Sequence, residues 1–272
     1  VKAKRLYALL AIPVLAYVGL AAFIGINQRQ LIYHPPKLSA TEARAGAEKH
    51  ALLPWTNSAG VRIGWRRPSR NASNAGVWLV THGNSGAAAG RDYILDPIQA
   101  GTGAEVYVLE YPGFADRPGK PSQDSLLEAA REAFLALPEN RPVTIVGESL
   151  GTGPACFLAG EFSDRVRAVV LLVPYRQLAD AAASHYPWLP VRFLLRDRFP
   201  ADEWLARYKG PVAFGVASSD EVIPPESGKQ LYDGYAGRKR LWEFAGENHW
   251  RGSNRPARFY SEVWNWIVSG KD

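Results

Sequence analysis

The sequence predicts one α/β domain built on a mostly parallel sheet, preceded by an apolar helix. From Val77 onward, short β-branched runs alternate with helical patterns, as a parallel sheet with crossover helices requires. A hairpin pattern comes before that alternation. At its centre, residues 141–160 (R-P-V-T-I-V-G-E-S-L-G-T-G-P-A-C-F-L-A-G) read as a buried strand, a sharp turn and a helix.

Taken in order, the chain begins with Lys2, Lys4 and Arg5, followed by Leu6 to Ile26, 21 residues without a charge. That run is long enough to cross a hydrocarbon core of about 30 Å as a helix. It exceeds the apolar region of a signal peptide, and Leu20-Ala21-Ala22 makes a poor cleavage site, so an uncleaved signal anchor is expected. Pro13, Gly19 and Gly25 are tolerable in such a helix. The basic residues precede the run and only Arg29 follows closely. The positive-inside rule then leaves the N-terminus in the cytoplasm and the bulk of the chain on the periplasmic or lumenal side. Residues 1–28 are read as anchor and 29–272 as the α/β domain.

Asn27 to Lys49 forms a connector with Pro35-Pro36 and a short Ala/Glu/Arg helix. His50–Thr56 and Val61–Arg66 flank a four-residue turn, as in a β-hairpin. A polar loop from Pro68 to Gly76 leads to the strand Val77–Val80. Then follow a helix at Arg91–Ala100, a strand at Glu105–Leu109 and a helix at Ser122–Leu137. After the central strand and helix come strands at Arg167–Val173, Pro211–Ala217 and Lys239–Phe244, and helices at Pro225–Tyr235 and Pro256–Val268. Residues 175–210, rich in aromatics and Arg, break this rhythm. A connection that long carries helices of its own or a function, and it reads as a small cap.

Composition narrows the partners. The chain has 272 residues, 47% hydrophobic, with nine Trp and twelve Tyr, enough for a sizeable core. The net charge of +6 is scattered, without a Lys/Arg run interleaved with aromatics, which argues against nucleic acid. A mildly basic surface suits a position near anionic lipid. The single cysteine, Cys156, can form no internal disulfide and reads as a small buried helix residue. Met is absent, so Val1 reads as a non-standard start or as the first residue of a processed or partial product.

The chemistry centres on Gly147-Glu148-Ser149-Leu150-Gly151. A strand, G-x-S-x-G and a helix form a nucleophile elbow, which lifts the serine hydroxyl above the sheet at a helix N-terminus. The pentapeptide alone is weak; its neighbours in the correct order make it strong. A serine hydroxyl needs a base, and the base an orienting acid, arriving downstream in the order acid, then His. Asp220 follows the strand ending at Ala217, and His249 lies in the last loop before the closing helix. Both sit at carboxyl ends of strands, where open α/β sheets bind ligands. Asp220 also reads as a simple turn residue, with Glu221 as a rival acid. His34, His50, His82 and His185 fall outside the required position. The oxyanion donors are expected to be the backbone N–H groups of Leu150 and of Asn84 in His82-Gly83-Asn84-Ser85-Gly86. Tyr111, Glu148 and Trp250 are expected along the substrate-binding wall, and Glu110 beside it.

The motifs H-G-N-S-G (82–86), Y-P-G-F (111–114), G-E-S-L-G (147–151), S-S-D-E-V-I-P-P-E (218–226) and G-E-N-H-W (246–250) together resemble the α/β-hydrolase superfamily. Within it, the chain is similar to membrane-anchored serine hydrolases with one N-terminal helix and a short cap; the segment 186–199 (Y-P-W-L-P-V-R-F-L-L-R-D-R-F) resembles theirs. The resemblance covers roughly residues 30–268. It implies an eight-stranded sheet with an antiparallel first hairpin, and acyl–enzyme chemistry at Ser149 with Asp220, His249, Asn84 and Leu150 in the roles above. Relatives usually carry Arg where Pro112 stands and Gly-x-Ser where Ala115-Asp116-Arg117 stands, positions expected to border the acyl pocket.

The expected activity is hydrolysis of carboxylic esters or thioesters, with a lipid-derived or other hydrophobic acyl substrate suggested by the anchor and the aromatic cap. This mechanism calls for no metal and no organic cofactor. Two alternatives remain open at this point: a catalytically idle binding module on the same fold, and an acyltransferase using the same triad.

Overall fold

The computed structural model describes residues 2–69 and 75–271. The reading of Val1, and residues 70–74 of the loop expected at Pro68–Gly76, lie outside them. Eight strands form one sheet: β1 (Leu53–Thr56), β2 (Arg62–Arg67), β3 (Val77–Thr81), β4 (Glu105–Leu109), β5 (Val143–Glu148), β6 (Val166–Leu172), β7 (Val212–Ala217) and β8 (Lys239–Phe244). Their order across the sheet is β1-β2-β4-β3-β5-β6-β7-β8. The β1–β2 hairpin is antiparallel, as the resemblance implied; β2–β4 is antiparallel as well, and all other pairs are parallel.

Period-two alternation in the central strands creates two cores, one on each face. Val77, Leu79, Ile145, Val169 and Leu171 join one cluster; Trp78, Val80, Val146, Val170 and Leu172 join the other. The first is covered by helices α4 (Gln123–Leu135), α5 (Thr152–Glu161) and α9 (Pro225–Gly234), the second by α3 (Asp92–Thr102) and α11 (Ala257–Ser269). Cys156 is fully buried in the first core, where burial pushes its thiol pKa up, as expected for a packing residue. The connector helix α2 (Ala40–Lys49) starts at a capping box between Ser39 and Glu42.

The N-terminal helix α1 (Lys2–Ile32) runs past residue 28 without a break. Its segment Ala11–Ile32 is the one described helix long and apolar enough to cross a membrane. Ile12, Leu15, Phe23 and Ile26 are exposed, so most of its apolar surface finds no partner within the chain. The exception is the face toward the cap. The cap holds α6 (Leu178–His185), α7 (Val191–Leu194) and α8 (Ala201–Leu205). Ala21, Ile24 and Ile32 of α1 pack against Ala179, Leu189, Val191 and Leu195. The Tyr17 hydroxyl donates to the Trp188 carbonyl at 2.9 Å, and Arg29 and Tyr33 both reach the buried Asp197 carboxylate, at 3.1 and 2.9 Å.

Candidate active site

Ser149 follows the last residue of β5 and adopts a left-handed backbone, φ +50°, unusual for a residue with a side chain. Two close approaches explain why glycine flanks it. A Cβ on Gly147 would lie 2.8 Å from the Ala155 Cβ, and one on Gly151 would lie 1.9 Å from the Thr81 carbonyl oxygen. The Thr81 hydroxyl donates to the Gly151 carbonyl at 2.8 Å, fastening the turn to β3.

The three residues read from chain order meet above the sheet. His249 Nε2 lies 3.1 Å from Ser149 Oγ, and His249 Nδ1 lies 2.8 and 2.9 Å from the two carboxylate oxygens of Asp220. Asp220 Oδ1 also accepts the Val222 and Ile223 N–H groups at 2.9 and 2.8 Å. Asp220 is therefore a turn residue and a histidine partner at once, because two backbone donors hold the same carboxylate that faces the imidazole. Glu221 is exposed. His249 is not in an open loop as the sequence suggested: it opens a short helix, α10 (His249–Ser253). Asn248 caps that helix by accepting the Arg251 N–H, which fixes where the imidazole leaves the backbone.

Such a chain lets a hydroxyl give its proton to an imidazole whose second nitrogen is held by a carboxylate. Leu150 and Asn84 border the same cavity as Ser149. Asn84 is held from the N-terminal side: its carbonyl accepts the His34 N–H at 2.9 Å and its amide donates to the Ile32 carbonyl at 2.9 Å.

Beneath this loop lies a buried polar network. Glu148 accepts the Gly83 N–H at 3.0 Å, the Tyr93 hydroxyl at 2.6 Å and the Arg91 guanidinium at 3.3 Å. Glu110, fully buried, accepts the Ala88 N–H at 3.1 Å, and burial pushes its pKa up to about 7. His82 is buried on the Tyr111 ring, and burial, aided by the Arg91 charge, pushes its pKa well down. Tyr111 donates to the His82 carbonyl at 3.0 Å and is wholly buried. Tyr111, Glu148 and Trp250 are thus not brought to the cavity wall, contrary to the sequence reading. The first two support the loop from below, and Trp250 packs on Tyr93 at 4.6 Å between centroids. Pro112 and Ala115–Arg117 do not border the cavity either. Asp116 pairs with Arg62, and Arg117 donates to the Glu110 carbonyl and to Glu132.

The cavity beside Ser149 measures about 460 Å³. Its walls come from the cap, from Val222 and Ile223, and from Ile24, Gly25, Gln28, Leu31 and Ile32 of α1. Sequence reading missed the α1 contribution and that of His185, which lines the cavity and meets the Val222 carbonyl at 2.8 Å. One sequence signal for it existed: Asp197, alone among the arginines of the cap's 192–198 stretch, complements Arg29.

A mostly parallel sheet covered on both faces, with a serine at the elbow between β5 and α5, defines the class of fold. Comparison with known proteins agrees. A profile of the alpha/beta hydrolase fold matches residues 79–202. The chain is 32% identical to an uncharacterised Mycobacterium tuberculosis protein, with 88% of each covered. It is 30% identical to the lysophosphatidylserine lipase ABHD12 of Danio rerio over 69% of this chain, and spans only 54% of that relative. Among solved structures, an esterase of Pyrococcus furiosus superposes with a TM-score of 0.64 at 13% identity, covering 88% of this chain and 97% of that one. The chain belongs to the α/β-hydrolase superfamily.

Proposed function

We propose that this protein is a membrane-tethered serine hydrolase that cleaves carboxylic esters or thioesters of hydrophobic acyl groups. The observation that carries the reading is the continuous contact from Asp220 through His249 to the Ser149 hydroxyl, 2.8 Å and then 3.1 Å. In this reading His249 takes the Ser149 proton as Oγ attacks the acyl carbon. The Leu150 and Asn84 N–H groups stabilise the resulting oxyanion. The bond to the leaving group breaks as His249 returns the proton to it, giving the acyl–enzyme. Water, deprotonated by His249, then attacks the acyl carbon; the free acid leaves and the proton returns to Ser149.

The lipase and esterase names of the relatives support the ester class. The apolar α1 supports residues 1–28 as part of a membrane anchor, with residues 29–272 as the hydrolase domain and about 175–210 as its cap. The basic residues before the span support a cytoplasmic N-terminus, which protease protection of sealed vesicles tests. The decisive experiment on the chemistry is fluorophosphonate labelling of the full chain beside Ser149→Ala and His249→Ala. The reading requires an adduct on Ser149 that both variants lose. A folded protein without that adduct is an idle binding module instead. Formation of an acyl ester of another acceptor, rather than the free acid, would make it an acyltransferase.

A further inference from the structure

We propose that the C-terminal half of α1 is a wall of the acyl site as well as a tether, and that the chamber takes a single long acyl chain lying against it. This rests on the hydrolase reading and goes beyond it by identifying what the site selects and which residue sets the limit. Ile24, Gly25 and Ile32 face Leu189, Val191 and Leu195 of the cap around one cavity that reaches Ser149. Two polar side chains of the wall away from the serine already have partners. Gln28 spends its amide on the Leu194 carbonyl at 3.2 Å and the Arg196 N–H at 2.7 Å, and the His185 Nε2 meets the Val222 carbonyl. What remains for an occupant is chiefly hydrocarbon surface, with the Tyr186 ring at its edge, which suits an acyl chain and disfavours a polar one.

The depth of the chamber supports the source of that chain. Tyr17 and Ala21 touch the cap within the segment Ala11–Ile32, the stretch apolar enough to span a membrane. The distance from Gly25 to Ile32 is about 10 Å along the helix. The cap and the chamber therefore flank the C-terminal part of the apolar segment, where the acyl tail of a bilayer ester would enter.

Gly25 sets the test. A Cβ added there meets nothing within 4 Å, and the same is true of Gly19, six residues earlier on the same helix. Only Gly25 borders the chamber. The full chain in mixed micelles is assayed with p-nitrophenyl palmitate and p-nitrophenyl acetate. In Gly25→Phe the palmitate-to-acetate ratio of kcat/KM should fall roughly tenfold or more, the scale by which apolar pockets discriminate chain size. Gly25→Leu and Gly25→Ala should lower it by smaller steps, and they carry the comparison if the Phe variant does not fold. Gly19→Phe should keep the wild-type ratio. Equal ratios in the Gly25 and Gly19 variants would overturn the proposal and leave α1 a tether. Absence of a fluorophosphonate adduct on wild-type Ser149 is a different failure, that of the hydrolase reading itself.

Discussion

The Glu148 carboxylate accepts the Gly83 N–H at 3.0 Å, so the residue before the candidate nucleophile holds the loop that carries the candidate oxyanion donor. Elbow and loop come from different strands, β5 and β3, and this contact sets their spacing. Glu148 is a positioning residue in this arrangement. Glu148→Ala should lower kcat by about 10- to 100-fold, the scale of a displaced oxyanion donor, with little change in KM. Glu148→Gln, which can still accept the Gly83 N–H, should recover part of the loss. Steady-state kinetics separates this from general destabilisation, which would not be rescued by the isosteric variant.

The acid should matter less than the hydroxyl. Ser149→Ala should remove turnover, whereas Asp220→Asn should lower kcat by roughly 10⁴ while sparing the fold. Its amide oxygen, in the place of Oδ1, can still accept both backbone donors, Val222 and Ile223. Full activity in Asp220→Asn would point to another orienting acid.

Glu110 makes stability depend on pH. Burial raises its folded pKa to about 7, so between its unfolded value and pH 7 the native state holds a proton that the unfolded chain has released. Stability should therefore fall as pH rises from about 4.5 through about 7 and then level off. Glu110→Gln should remove this slope and gain about 1–3 kcal/mol at pH 8 relative to pH 5. The neighbouring His82 acts with the opposite sign: its depressed pKa costs stability as pH falls below its ordinary value. Denaturant titrations at several pH values check both.

Asp197 joins the N-terminal helix to the cap. Its side chain is 3% exposed and faces both Arg29 and Tyr33. Asp197→Ala leaves those two groups without their shared acceptor and should cost roughly 2–4 kcal/mol. A thermal midpoint unchanged from wild type in the same detergent would contradict this.

Gly151→Ala should prevent folding, since no small shift accommodates a carbon 1.9 Å from the Thr81 carbonyl oxygen. Expression and size-exclusion profiles decide the matter directly. Gly90→Ala, where a Cβ meets nothing within 4 Å, is the matched control.

Much of this was written in the sequence because it depends on local pattern. The apolar runs of β3, β5 and β7 mark buried strands, and Ser149, Asp220 and His249 follow the ends of β5, β7 and β8 in that order. Contacts between distant segments were less legible. Tyr111 looked like a wall residue because it follows β4, yet its ring lies under His82, a packing fact without a sequence period. Glu148 sits next to the nucleophile in sequence but its side chain turns into the Arg91–Tyr93 network. The apolar run of α1 carries no mark distinguishing an exposed leucine from a chamber-facing one. Only the charge of Asp197 opposite Arg29 betrays the docking.

The shared wall has a consequence for how such a protein can be rearranged. Targeting segments are commonly treated as interchangeable parts, cut off for crystallisation or swapped to redirect an enzyme. Here, Ile24, Gly25 and Gln28 belong to the chamber, and the same helix leads to the Ile32 carbonyl that holds Asn84. A borrowed anchor would restore the address but not the architecture. Fusing residues 29–272 to a foreign membrane helix should give a protein that localises normally yet accepts a different range of acyl lengths, which a side-by-side ester panel would reveal.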